Sequence, residues 1–169
     1  MLKKWKYEDI DFNDKVAFEF RDSKLISKYP IIHLENFLTS DQTSFLAKRL
    51  TVLKKIAFIR DQTNLDSRRY CYKNDEIISD FHNSITEKIS SVVGKEIIPT
   101  DSHSLMYFKG QGHFPPHTDG STRYEYSVLV PVAYNEVWPS YVEDKIFFPQ
   151  IGDVVIYSGS FHAHWRNQL

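Results

Sequence analysis

From Ile97 onward the chain changes its period, and that change limits what it can fold into. Before it, two stretches repeat apolar residues at helical spacing. After it, Pro99, Gly110, Gly112, Pro115, Pro116, Gly120, Pro131, Pro139, Pro149, Gly152 and Gly159 cut the sequence into short runs. Those runs, Ser104–Phe108, Tyr126–Tyr134, Lys145–Phe148 and Asp153–Tyr157, are rich in Val, Ile, Phe and Tyr and read as strands. Helices first and strands after predict an α+β fold with a mainly β core and helices packed on one face of an antiparallel sheet. No repeat, low-complexity tract or linker divides the chain, so a single domain over residues 1–169 is expected.

The helical half carries its own punctuation. Thr39 and Gln42 have capping-box spacing, and Phe45, Leu46, Leu50, Leu53 and Ala57 follow at helical intervals. A second helix is predicted from an Asn74 cap, with Ile77, Ile78, Phe81, Ile85, Ile89, Val92 and Val93 as its stripe and Gly94 as its C-cap. Tyr29–Leu38 reads as a strand and turn in which His33 is structural, and residues 1 to 28 as a strand or an arm over the core. Arg60–Tyr72 is polar, with Arg68-Arg69-Tyr70 its only cluster, and reads as a loop bordering a site or an exposed connection. Asn135–Asp144 reads as a surface loop, flexible over the site or bland.

Charge and cysteine content narrow the function classes. A formal net charge of −1 argues against binding nucleic acid by phosphate neutralisation. The single Cys71 leaves no disulfide framework and no thiolate cluster, which suits a reducing compartment. The amino terminus lacks the apolar core of a signal peptide, and no stretch is long enough to span a membrane, so a soluble cytoplasmic protein is expected.

His117 and Asp119 lie two apart, so in a strand they face the same way and can reach one ion. Pro115-Pro116 before them and Gly120 after them point to a sheet edge or a barrel mouth. Forty-seven residues separate His117 from His164, enough for several strands to fold back. Two imidazoles and one carboxylate suit one face of a mononuclear Fe(II), with the other positions open.

Met106–Gly120, which contains His117-Thr118-Asp119, resembles the first metal-binding strand of Fe(II)- and 2-oxoglutarate-dependent dioxygenases, nearest the prolyl 4-hydroxylase-like branch. Tyr126–Val132 resembles the following core strand, Phe147–Tyr157 the segment leading to the distal histidine, and Pro30–Leu50 the opening strand and first helix. The resemblance spans about residues 30 to 166. It implies a double-stranded β-helix (jelly roll, cupin-like) with N-terminal supporting helices. It also implies Fe(II) held by His117, Asp119 and a later histidine, with Tyr107 bonding the cosubstrate carboxylate. For that histidine His164 is preferred, because the His164-Trp165-Arg166 run fits the pattern better; His162 is the second choice. His113 is expected in a loop near the site, and His103 to be structural.

The implied chemistry is hydroxylation of an amino acid, peptide or small metabolite, consuming 2-oxoglutarate and O₂, with ascorbate in a supporting role. A carboxylate at Asp119 favours hydroxylation over halogenation. The family usually anchors the remote carboxylate of 2-oxoglutarate with a basic residue on a strand beyond the distal histidine. The sequence stops at Leu169 before such a strand, so the chain is a truncated form, the anchor lies elsewhere, or 2-oxoglutarate is not used. Arg166 and Arg123 are the candidate anchors, since a guanidinium binds a carboxylate through two parallel hydrogen bonds. The rival readings are a degenerate, non-catalytic binding module and a cupin-type metalloenzyme with more histidines at its metal.

Overall fold

Each of the two long helices is fixed at its start by a side chain. In a computed structural model, which describes residues 2, 4–62, 67–108, 110–120 and 124–168, Thr39 caps helix α2 (Ser40–Leu53). Its Oγ1 accepts from the Gln42 N–H at 3.2 Å, while Gln42 Oε1 accepts from the Thr39 N–H at 2.9 Å, closing the expected box. The helix stops at Leu53, short of Ala57, and Phe45 is half exposed, so the buried stripe is narrower than the spacing predicted. Helix α3 (Glu76–Val93) is capped by Asp75 rather than Asn74. Asn74 instead takes a left-handed turn at φ 51°, and its side-chain carbonyl accepts from the Ser102 N–H. Gly94 closes α3 at φ 69°, the conformation that a glycine adopts most cheaply. A short helix α1 (Ser23–Ile26) lies in the amino-terminal segment.

The strands are β1 (Ile32–Leu34), β2 (Phe58–Gln62), β3 (Ser67–Lys73), β4 (His103–Tyr107), β5 (Phe114–His117), β6 (Ser127–Leu129), β7 (Ser140–Val142), β8 (Lys145–Phe147), β9 (Val154–Tyr157) and β10 (His164–Arg166). Every pairing among the described residues is antiparallel, in three sheets ordered β1-β9-β6, β5-β10-β7-β8 and β2-β3-β4. The expected α+β class is therefore present. Two segments depart from expectation. Arg60–Tyr72 is not an exposed connection: it contributes to the β2 and β3 strands, and Arg69 is buried at 2% exposure. Asn135–Asp144 is not simply a loop, since Ser140–Val142 pairs with both β10 and β8.

Strand β9 explains how the layers stack. Side chains alternate across a strand, so Val154 and Ile156 point one way and Val155 and Tyr157 the other. The first pair joins Leu46, Ile85 and Ile89 of α2 and α3 in the larger core. The second pair meets Val142, Leu129 and Phe147 in a separate cluster reaching into the β5-β10-β7-β8 sheet. Burial on both faces is why this strand reads as an unbroken apolar run. The helices thus cover one side of β1-β9-β6, and Tyr157 is left facing the sheet that carries the histidines.

The amino-terminal arm lies across this framework. Phe18 is buried, the Ala17 carbonyl accepts from the Thr118 N–H at 2.8 Å, and Arg21 bonds both carboxylate oxygens of Glu143 at 2.8 and 3.0 Å. No helix among the described residues is long and apolar enough to cross a membrane.

Candidate metal centre

Strand β5 lies at the edge of its sheet, as the Pro115-Pro116 pair predicts, because a proline has no N–H to donate to a ladder. Its other side pairs with β10, and the register sets His117 directly opposite His164. The 47-residue separation is thereby closed by one cross-strand pair, with ring centroids 4.2 Å apart.

Asp119 joins them by a different route from the one its spacing suggests. The strand ends at His117, and the Asp119 N–H donates to the Gly159 carbonyl at 2.7 Å, in the turn after β9. Its Oδ1 then stands 3.9 Å from His117 Nε2 and 3.7 Å from His164 Nε2. One donor atom from each of the three residues lies within 4.8 Å of the others, so His117, Asp119 and His164 could hold a metal ion. Bonds of about 2.1 Å at right angles put donors about 3 Å apart, so shifts under ~1 Å would close the set.

Outer contacts orient each ligand. His117 Nδ1–H donates to the Pro115 carbonyl at 2.7 Å, and His164 Nδ1–H to the His162 carbonyl at 3.0 Å. A carbonyl can only accept, so both rings carry their proton on Nδ1 and present the Nε2 lone pair inward. Burial holds the His117 pKa well below the usual imidazole value, and the charge on His164 adds to this. A neutral imidazole is the form that binds metal. The Ser127 hydroxyl donates to Asp119 Oδ2 at 3.1 Å, leaving Oδ1 toward the histidines.

His162 is excluded from the cluster by its own bonds. Its Nδ1 accepts from the Ser158 N–H at 3.1 Å and its Nε2–H donates to the Ile26 carbonyl at 3.1 Å, so both nitrogens are committed. Among the described residues no further histidine joins the three. His33 bonds Asp153 and is structural, as expected. His113 sits in the β4–β5 loop, fully buried and 5.7 Å from the Trp5 ring, whereas His103 is exposed on β4.

No protein-family model matches this chain, and no curated protein matches it either.

Around the triad the structure gathers aromatic rings and two guanidinium groups. Tyr107 lies on β4 with its ring 4.7 Å from Trp138, edge to face. Arg166 lies over the other ring of that contact, 4.6 Å from the Trp138 centroid. Phe114 packs against His117 at 4.3 Å, and Tyr157 against His164 at 4.9 Å. Burial raises the Tyr157 phenol pKa, and the nearby Asp119 carboxylate raises it further, so this hydroxyl stays protonated. Arg123, the other expected anchor, lies outside the described residues. Of the remaining aromatics, Tyr141 and Trp165 stack on each other at 5.1 Å, and Tyr126 packs on Tyr29. A groove of about 210 Å³ lined by Lys4, Trp138, Pro139, Tyr141, Asn167 and Gln168 shares Trp138 with this surround.

Two contributors escaped the spacing of the sequence. Gly159 touches Asp119 so closely that a β-carbon there would overlap the carboxylate and the Ser127 hydroxyl. Arg69 has its guanidinium 4.8 Å from the Phe114 ring and 5.8 Å from the Tyr107 ring. The Arg68-Arg69-Tyr70 cluster was the available signal for the second; for Gly159 only its place just after an apolar strand hinted at a tight approach.

Proposed function

We propose that this chain is the catalytic domain of a mononuclear Fe(II)- and 2-oxoglutarate-dependent oxygenase that hydroxylates an amino acid, a peptide or a related small metabolite. The observation that carries the reading is the triad: two histidines on paired strands, each with Nδ1–H tied to a carbonyl and Nε2 turned toward one carboxylate. Two histidines and one carboxylate on one face of a metal are the ligand set of non-haem Fe(II) oxygenases. The facing sheets β1-β9-β6 and β5-β10-β7-β8, joined through Val142, Val155 and Tyr157, support a double-stranded β-helix as the scaffold. The resemblance of Met106–Gly120 and Phe147–Tyr157 to the prolyl 4-hydroxylase-like branch points the same way.

Bound at the triad, Fe(II) would supply the redox chemistry that couples oxidative decarboxylation of 2-oxoglutarate by O₂ to hydroxylation of a C–H bond. The residues of the chain do the rest. His117 and His164 donate neutral nitrogens, and Asp119 contributes a charge and fills the third protein position, which favours hydroxylation over halogenation. Phe114, Tyr157 and Trp138 wall the site with rings that exclude water, and the protonated hydroxyls of Tyr107 and Tyr157 offer donors to a bound carboxylate. A cytoplasmic setting suits the single, buried Cys71.

The test is anaerobic reconstitution with Fe(II), followed by 2-oxoglutarate, ascorbate and O₂, with succinate as the readout. Succinate should form in the parent protein and fall to background in Asp119→Ala. A parent protein that binds Fe(II) yet forms no succinate would overturn the oxygenase reading and leave a binding module.

A further inference from the structure

Glu143 is a buried carboxylate that none of the proposed chemistry uses, and its backbone takes a shape that glutamate seldom adopts. It is the first of the two residues that turn β7 into β8, at φ 53°. A hairpin position with positive φ ordinarily carries glycine, asparagine or aspartate, which meet less hindrance there. A longer side chain kept in that shape points to a role for the side chain itself. Stability alone gives no such role, because a buried ion pair contributes little over apolar residues of similar size.

What Glu143 meets is the backbone that leads into the distal ligand. The Glu143 N–H donates to the Ala163 carbonyl at 2.8 Å, and the Ala163 N–H donates back to Glu143 Oε1 at 2.6 Å. Ala163, fully buried, thus spends both of its backbone groups on one residue. His164 comes next, as the first of the three residues of β10. The ladders around it are short: the pairing with β5 shifts register just after His164, and the pairing with β7 ends at it. The direction of the imidazole therefore depends on how Ala163 delivers the chain into the strand. The carboxylate that holds Ala163 is itself fixed. Arg21 Nη1 and Nη2 donate to Oε1 and Oε2 at 2.8 and 3.0 Å, and two parallel bonds set the plane of a carboxylate. The guanidinium in turn lies 3.8 Å from the Phe12 ring centroid, and its Nη2 donates to the Tyr7 hydroxyl at 3.3 Å.

We propose that Glu143 is a positioning residue for His164: through the Ala163 N–H it sets the direction in which the distal imidazole meets the metal, and Arg21 of the amino-terminal arm sets Glu143. This rests on the oxygenase reading above, because it needs an ion at His117, Asp119 and His164. Glu143 is not one of the three residues of that set, so its effect passes through the backbone of Ala163.

The experiment reads the metal rather than turnover. Mn(II) affinity is measured by calorimetry, the d–d absorption of the Co(II)-loaded protein reports the number and arrangement of ligands, and circular dichroism confirms that each variant folds. Glu143→Gly suits the left-handed backbone and deletes the carboxylate. It should bind Mn(II) about 10- to 100-fold more weakly than the parent, the cost typical of losing a group that orients a metal ligand, with an altered Co(II) spectrum. Glu143→Gln keeps an oxygen for the Ala163 N–H and should recover the affinity to within about threefold of the parent. Arg49→Ala breaks another buried pair, Arg49–Asp75 between α2 and the start of α3, and should leave both metal readouts unchanged. Mn(II) affinity in Glu143→Gly within about twofold of the parent, with the same Co(II) spectrum, overturns the proposal and leaves the oxygenase reading standing. A loss that Glu143→Gln fails to recover assigns the effect to charge rather than to the Ala163 bond, and overturns it as well. Should Glu143→Gly not fold, Glu143→Asn carries the same test, since asparagine tolerates the left-handed backbone and falls one methylene short of Ala163. A parent that binds no Mn(II) removes both readings.

Discussion

Gly159→Ala should disable the metal centre without altering a ligand. Gly159 has an ordinary negative-φ backbone, so the substitution carries no conformational penalty and the effect is purely one of space. A β-carbon built there stands 2.9 Å from Asp119 Cγ and closer still to Oδ2 and the Ser127 hydroxyl, where ordinary contact needs at least 3.4 Å. The Asp119 N–H is meanwhile tied to the Gly159 carbonyl, so its backbone cannot simply withdraw. The carboxylate must swing away by more than ~1 Å, in a set whose donor atoms already need small shifts to close on an ion. Displacing an orienting contact of a metal ligand typically costs 10–100-fold in affinity, about 1.4–2.7 kcal/mol. Misplacement by 1 Å costs ~100-fold in rate on its own. Mn(II) affinity by calorimetry is the assay, with circular dichroism to confirm folding. Gly120→Ala is the control, because a β-carbon there meets nothing within 4 Å. Mn(II) affinity in Gly159→Ala within about twofold of the parent would refute the reasoning.

Ser127→Ala removes the hydroxyl that holds Asp119 Oδ2, and should weaken Mn(II) binding by up to ~10-fold, less than Gly159→Ala, in the same titration. Arg21→Ala leaves the Glu143 carboxylate, 7% exposed, without its cation; urea unfolding should show a loss of about 3 kcal/mol, whereas Lys95→Ala, which breaks the exposed pair Lys95–Glu125, should leave the midpoint nearly unchanged. Burial depresses the folded-state pKa of His162 and His82, so both are neutral in the native protein and charge more readily when it unfolds. Their contribution is complete above the unfolded value of about 6.5 and is lost as pH falls below it toward the folded values, so the urea midpoint of metal-free protein should drop between pH 7.5 and 5.5. A midpoint that is flat across that interval would contradict it.

The parts of the fold that could be read in advance are those whose signal is local. Thr39 with Gln42, and Gly94 after the α3 stripe, announce helix ends through bonds made within a few residues. The β9 run is legible because both of its faces are apolar. Strand β3 is not, because its inward positions are Arg69 and Cys71, and a buried cation breaks the alternation of apolar and polar residues. Strand β7 is hidden in the same way, with Ser140 and Val142 inward around Tyr141 and a proline just before. The site was half legible. His117 and Asp119 stand out by their spacing, but the choice between His162 and His164 depends on register with β5 and on the Ser158 and Ile26 backbone groups that occupy His162. Asp119 reaches the histidines through a bond to Gly159, forty residues on, which no spacing rule contains.

That dependence on distant backbone also ties the amino-terminal arm to the site. The Ala17 carbonyl accepts from Thr118, between the first two ligands, and Arg21 grips Glu143, whose Oε1 in turn accepts from the Ala163 N–H just before His164. Trp5 and Asn167 exchange two further bonds just past the end of β10. Both ligand-bearing segments are therefore clamped by one stretch of chain that contributes no ligand. Three weak donors around an ion must be held against their own rotamer freedom, and β5 is an edge strand of four residues with a partner on one side only. An edge strand interrupted by two prolines gains little rigidity from its ladder, so the constraint has to come from outside the sheet. The arm supplies it, and its bonds to Thr118 and Glu143 belong to the architecture of the metal centre as much as those made by Ser127 and Gly159.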